Sequence, residues 1–119
     1  MIFLLVTQKQ FKTLGHIMGE IATMSKHDWP DKFIKFELAF LNFLKQRDET
    51  KTHVGAILDS NTLKGFLSTL AGYMELLEVE IKACNKFWPR VYAKRSRKLL
   101  ESLRTEISTQ LSAQKINVN

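Results

Sequence analysis

The sequence predicts an all-α protein, a single compact bundle of four to five helices spanning residues 1–119. Three observations carry that expectation. Apolar residues recur at spacings of three and four through most of the chain, the mark of one-sided helices. Only two prolines and five glycines interrupt 119 residues. With 45% apolar and 25% charged residues, the composition is that of an ordinary folded domain rather than a disordered tail. A chain of this length can bury a core without disulfides or metals.

The first helix carries Phe11, Leu14, Ile17, Met18, Ile21 and Met24 in register. Thr7 with Gln10 three residues on has the form of a capping box, so the helix is expected to begin there. The preceding MIFLLV is compatible with a strand, a lead-in or an extra helical turn. His27 to Asp31 forms a loop and helix start, with Pro30 near the first helical position. A second helix follows from about Asp31 to Arg47. Between Phe33 and Leu44 only Lys35, Glu37 and Asn42 are polar, so apolar groups surround most of its circumference. Such a helix is central in its bundle or packs against another subunit.

Asp48 to His53 reads as a polar turn and Val54 to Leu58 as a short helix. Asp59, Ser60 and Asn61 offer caps for the next. That long helix holds Leu63, Phe66, Leu67, Leu70, Tyr73, Met74, Leu77 and Ile81 in register, with Glu78 and Lys82 as an i,i+4 pair. Pro89 ends or kinks it by removing a backbone donor. A last helix is expected from about Pro89 to Gln114, and the closing INVN is expected to fray.

Charge is distributed unevenly. Lys82, Lys86, Arg90, Lys94, Arg95, Arg97 and Lys98 lie between Ile81 and Leu100 with no acid among them; the rest of the chain carries 11 basic and 12 acidic residues. The net charge of +6 is therefore a local feature, which favours an anionic partner meeting one surface. Wound at about 100° per residue from Leu99, the last helix gathers Tyr92, Leu99, Leu100, Leu103, Ile107 and Leu111 within roughly 0–120°. Arg90, Lys94, Arg97, Lys98 and Arg104 occupy roughly 140–260°. Arg95 lies off this sector, and Glu101 interrupts its far end. From Arg90 to Arg104 the helix covers about 21 Å, enough to meet several phosphates. Arginine forks suit phosphate oxygens, and an exposed Trp88 could stack on unpaired bases. The competing readings are a solvated helix face for the charges and a core anchor for Trp88.

Catalytic and metal chemistry find no footing. His16 and Glu20 are four apart on one helix, but two ligands fall short of a metal site. Glu75, Glu78 and Glu80 lack a Glu-x-x-His partner and are expected to pair with lysines. His27 and His53 fall in turns. There is no phosphate loop, no nucleophile with a base and no cysteine–histidine zinc pattern. Gly15 and Gly19 form a G-x-x-x-G, a weak signal for close helix packing. No enzyme, cofactor, metal or small-molecule substrate is expected. The lone Cys84 cannot form an internal bridge, which fits a reducing compartment. MIFLLV lacks the basic lead-in of a signal peptide, and no run approaches the roughly 18–20 apolar residues of a membrane span. A cytoplasmic protein without membrane contact is expected.

The FIKFELAFLNFL helix, the TLKGFLSTLAGYMELL helix and the basic KFWPRVYAKRSRK segment together resemble the small subunits of CRISPR effector complexes. The likeness is one of size, helicity and charge over most of the chain. It implies a non-enzymatic subunit of a ribonucleoprotein in antiviral defence, holding a guide–target duplex or displaced strand and contacting other protein subunits. From the residues themselves, the expected function is sequence-independent binding of RNA or DNA backbone through Lys82, Lys86, Arg90, Lys94, Arg95, Arg97, Lys98 and Arg104. The alternative is an interaction module, an inhibitor or adaptor, whose basic face meets an acidic protein.

Overall fold

Thr7 starts the first helix as its sequence indicates. In the computed structural model, which describes residues 1–114, its hydroxyl accepts from Gln10 N (3.1 Å) and the Gln10 side chain accepts from Thr7 N (2.8 Å). Helix α1 then spans Gln8–Ile21 and buries Gln10, Phe11, Leu14, Ile17 and Ile21. It stops short of Met24, which is exposed. The six residues before it form strand β1, Ile2–Thr7, so the open question at MIFLLV resolves to a strand.

A single 3₁₀ turn at Lys26–Asp28 leads to α2, Asp31–Gln46, with Pro30 as its N-cap. Val54–Leu58, expected to be helical, is instead part of strand β2, His53–Leu58. It pairs antiparallel with β1, Leu4 opposite Ala56 and Val6 opposite Val54. Its side chains alternate, Val54, Ala56 and Leu58 inward and His53 and Ile57 outward, so the period is two rather than 3.6. The fold is thus mostly α, four helices with a small two-stranded sheet, and not purely all-α.

Asp59 caps α3, Ser60–Ala83, by accepting from Thr62 N at 2.7 Å. That bond holds the Asp59 carboxyl below its ordinary value, because it favours the charged form. A three-residue turn then reverses the chain into α4, Phe87–Ala113. Pro89 stands in the first turn of α4, where its missing N–H has no intrahelical acceptor to lose. The expected frayed end, residues 116–119, lies outside the described residues.

Every strand and α-helix contributes to one continuous apolar core. At its centre the Phe66 ring of α3 packs against Phe36 and Phe43 of α2, with centroids 5.3 and 6.0 Å apart. The Thr69 hydroxyl locks the same pair of helices, reaching Lys32 O at 3.0 Å and Gly65 O at 2.9 Å. Helix α2 is not enveloped. Phe36, Ala39 and Phe43 are buried, while Ile34, Leu38, Leu41 and Leu44 face solvent. Its apolar circumference is thus covered on one side only, where it meets α1, α3 and β2. No helix among the described residues is long and apolar enough to cross a membrane.

Candidate nucleic-acid interface on the α3–α4 hairpin

Helix α4 has two halves with different surroundings. Its buried residues are Leu100, Leu103, Ile107 and Leu111, all in the C-terminal half. On α3 the last buried residue is Leu77. The end of α3 and the first turns of α4 therefore project from the body as a helical arm, and this arm carries the charge.

Lys82, Lys86, Arg90, Lys94, Arg95, Lys98 and Arg104 are all exposed. Among the described residues none of these seven has an ion-pair partner. Arg97 differs. One terminal nitrogen lies 3.2 Å from Glu78 Oε1 and the other 3.1 Å from Glu101 Oε1, and its Nε is buried without a partner. It is an internal clamp between α3 and α4 more than an open phosphate contact. Glu78 was expected to face Lys82; it pairs with Arg97 instead, across the hairpin.

Two neighbouring depressions run along the hairpin. One is lined by Lys82, Lys94 and Lys98 beside Glu78, Ile81 and Glu101. The other is lined by Lys98 and Arg104 with Ser102, Thr105 and Ser108. They share Arg97, Lys98 and Glu101. The fold thus gathers Lys82, Lys94, Arg97, Lys98 and Arg104 along one track. Lys86 and Arg90 sit at the tip, and Arg95 lines neither depression. The first turn of α4 holds no acidic residue, and Lys86 at its N-cap makes no side-chain capping bond. Cations at a helix N-terminus add to the positive end of the helix dipole and oppose it energetically. A bound anion would relieve that repulsion.

The aromatics at the tip are in solvent. Phe87, Trp88 and Tyr92 are 70%, 64% and 61% exposed, so Trp88 is not a core anchor. Phe87 and Trp88 meet edge to face at 5.1 Å, and Trp88 lies 6.5 Å from Tyr92. The helix wheel assigns Tyr92 to the packing side, whereas the structure exposes it. The buried line through Leu100, Leu103 and Ile107 continues toward the N-terminus past Ser96 and Ala93, which are half-buried, and leaves Tyr92 on the flank. Sequence reading missed Tyr92 as a surface group for that reason.

The candidate metal pair does not assemble. Glu20 Oε1 accepts from the Tyr73 hydroxyl at 3.1 Å, His16 is exposed, and no cluster of metal-ligating side chains occurs among the described residues. His27 and His53 are exposed, as expected.

No protein-family model matches this chain, and neither a curated protein nor a solved structure is significantly similar to it.

Proposed function

We propose that this protein is a non-catalytic subunit that holds nucleic acid by its backbone, without sequence preference, on the α3–α4 arm. The observation that supports this reading most is the coincidence, on one hairpin, of seven exposed cations that have no ion-pair partner among the described residues and, at its projecting tip, three exposed, mutually packed aromatics. Cations along a track meet successive phosphates, and exposed rings stack on unpaired bases, a pairing suited to single strands. Arg97 holds the track in shape. Membership of a CRISPR effector, with contacts to other subunits, is one assembly in which such an arm would serve; that part rests on size, helicity and charge.

Fluorescence anisotropy with labelled single-stranded RNA, single-stranded DNA and duplex DNA tests the reading. Wild type is compared with Lys86, Arg90, Lys94, Lys98→Glu and with Trp88→Ala, each checked by circular dichroism. The expected result is salt-dependent binding, lost in the charge variant and weakened on single strands by Trp88→Ala. Absence of wild-type binding at low salt would sink independent nucleic-acid binding.

A second reading, an adaptor or inhibitor whose arm meets an acidic protein, draws support from the solvent-facing Ile34, Leu38, Leu41 and Leu44 of α2, an apolar stripe suited to a protein contact. It predicts no affinity for nucleic acid and capture of an acidic protein that is lost in the same charge variant.

A further inference from the structure

Away from the charged arm, α1, α2 and α3 leave a cavity of about 280 Å³ between them. Ile17 and Ile21 of α1 form its floor, and Phe33 of α2 and Leu76 of α3 stand as walls. Both isoleucines are buried, whereas Leu76 is half exposed, so the cavity runs from the core to the surface. Three polar side chains reach its lining, and two of them are committed. The Thr69 hydroxyl is spent on the carbonyls of Lys32 and Gly65, and the Tyr73 hydroxyl donates to Glu20.

The third is Lys32. Its half-buried side chain lies across α3, with Nζ 3.4 Å from where a Cβ would stand on Gly72. The Phe33 ring, its centroid 5.8 Å from that nitrogen, steadies it there. The ammonium has no ion-pair partner among the described residues. Asp31 pairs with Lys35 and Glu37 with Lys26, so both acids of α2 are engaged elsewhere. No acidic residue lines the cavity. Glu20 and Glu80 act on Tyr73 from outside it. An anion in the cavity therefore meets like charge toward Tyr73 and opposite charge at Lys32.

We infer that this cavity binds a small apolar carboxylate, its head on the Lys32 ammonium over Gly72 and its hydrocarbon among Ile17, Ile21, Phe33 and Leu76. Apolar walls with one placed polar group are the usual make-up of a small-molecule site. An ion pair sheltered from water is stronger than one on the open surface. The volume sets the size of the occupant. A dry cavity of roughly 150 Å³ holds benzene, so about 280 Å³ takes an acid of roughly ten to thirteen non-hydrogen atoms. Such a ligand is expected to bind with a Kd of about 0.1–1 mM. Glycine at position 72 keeps the seat open, since a larger side chain there displaces the ammonium. None of these residues belongs to the cation track of the arm, so the inference is independent of nucleic-acid binding.

Amide correlation spectra, titrated with octanoate and with naphthoate, each beside the alcohol of the same skeleton, test it. The expected result is saturable shifts at Ile17, Phe33, Gly72 and Leu76, with the acid binding about tenfold more tightly than its alcohol. Which acid binds more tightly tells an aliphatic from an aromatic occupant. Lys32→Met keeps the stem and removes the ammonium. It should bring the acid down to the level of the alcohol and leave the alcohol unchanged. Gly72→Leu should weaken both by filling the seat, with circular dichroism unchanged, because leucine is the better helix former. Lys32→Met alters no atom of the apolar core, so its comparison stands even where Gly72→Leu fails to fold. No saturable shift at these amides by about 10 mM ligand overturns the proposal. An acid that binds wild type no better than its alcohol also overturns it and makes the cavity merely apolar. A preference for the acid that survives Lys32→Met does the same, as do shifts confined to the arm, where carboxylates would be gathering on the exposed cations.

Discussion

Gly65 is the glycine this fold cannot replace. A Cβ built there would overlap Lys35 Cβ, with Cγ and Cδ of the same side chain at 3.0 and 2.9 Å. Lys35 Cβ is fixed to the α2 backbone, so the helices themselves must separate. Overpacking of this kind costs about 1–3 kcal/mol, more than the roughly 1 kcal/mol that alanine gains over glycine in a helix. Gly65→Ala should therefore lower the urea midpoint. Gly19→Ala should raise it, since nothing lies within 4 Å of the added methyl, by about 0.4–1 kcal/mol. The G-x-x-x-G spacing points to the wrong residues: Gly15 has only ordinary contact with the Phe40 ring at 3.8 Å, and Gly19 has none. Which glycine meets a neighbouring helix depends on how α2 and α3 cross, and a local spacing does not carry that information.

Tyr73 offers a titration at the same scale. Burial, and then the Glu20 carboxylate, push its phenol up from 10.0 to about 12. The folded state thus holds the proton more tightly than the unfolded one. The resulting stabilisation is complete below pH 10 and disappears as pH rises through about 12. Absorbance titration of the phenolate should show an alkaline phase that Tyr73→Phe removes. Glu20→Gln should lower that phase only partway, because burial is the larger cause.

At the scale of elements, the glutamines of α4 explain how a two-stranded sheet survives at the surface. A lone hairpin is marginal in water, and these strands are separated by α1 and α2. Their inward faces rest on the core, and Gln110 and Gln114 satisfy the outer edge of β1 at Leu5 and Phe3. Each glutamine makes two bonds to one residue, at about 1 kcal/mol net per bond and less where water competes. Gln110→Ala should cost about 1 kcal/mol by this argument. It should also speed hydrogen exchange at the Leu5 amide while sparing Leu4, whose amide faces β2. Equal acceleration at both would mean that the side chain supports the whole strand rather than its edge. Local signals made the helices legible: the Thr7–Gln10 box, Pro30 and Asp59 each mark a terminus that the structure retains. The strands depend on a pairing partner some fifty residues away. Val54 to Leu58 reads VGAIL, with no polar residue to mark a period of two, and so short an apolar run is not separable from a helical turn without that partner.

For the whole molecule, the radius of gyration of 14.5 Å exceeds the roughly 13.5 Å expected for a compact chain of this length, as a projecting arm requires. The concentration of charge on that arm was legible from counting residues, because no acid lies between Ile81 and Leu100. The fate of Arg97 was not: Glu78 and Glu101 stand outside that window, and only the docking of α3 on α4 brings both to one guanidinium. This difference yields the sharpest test of the binding surface. If about four to six phosphates are met, the log–log salt dependence on single strands should have a slope of roughly −3 to −4, each lost contact reducing it by about 0.7. Lys94→Gln and Lys98→Gln should each remove about one such step while leaving thermal stability unchanged, since neither cation is paired within the described residues. Arg97→Gln should do the reverse, lowering the melting temperature by releasing Glu78 and Glu101 while the slope stays near the wild-type value. A slope that falls with Arg97→Gln as steeply as with Lys94→Gln would mean that the clamp opens in the complex and Arg97 exchanges its glutamates for phosphate.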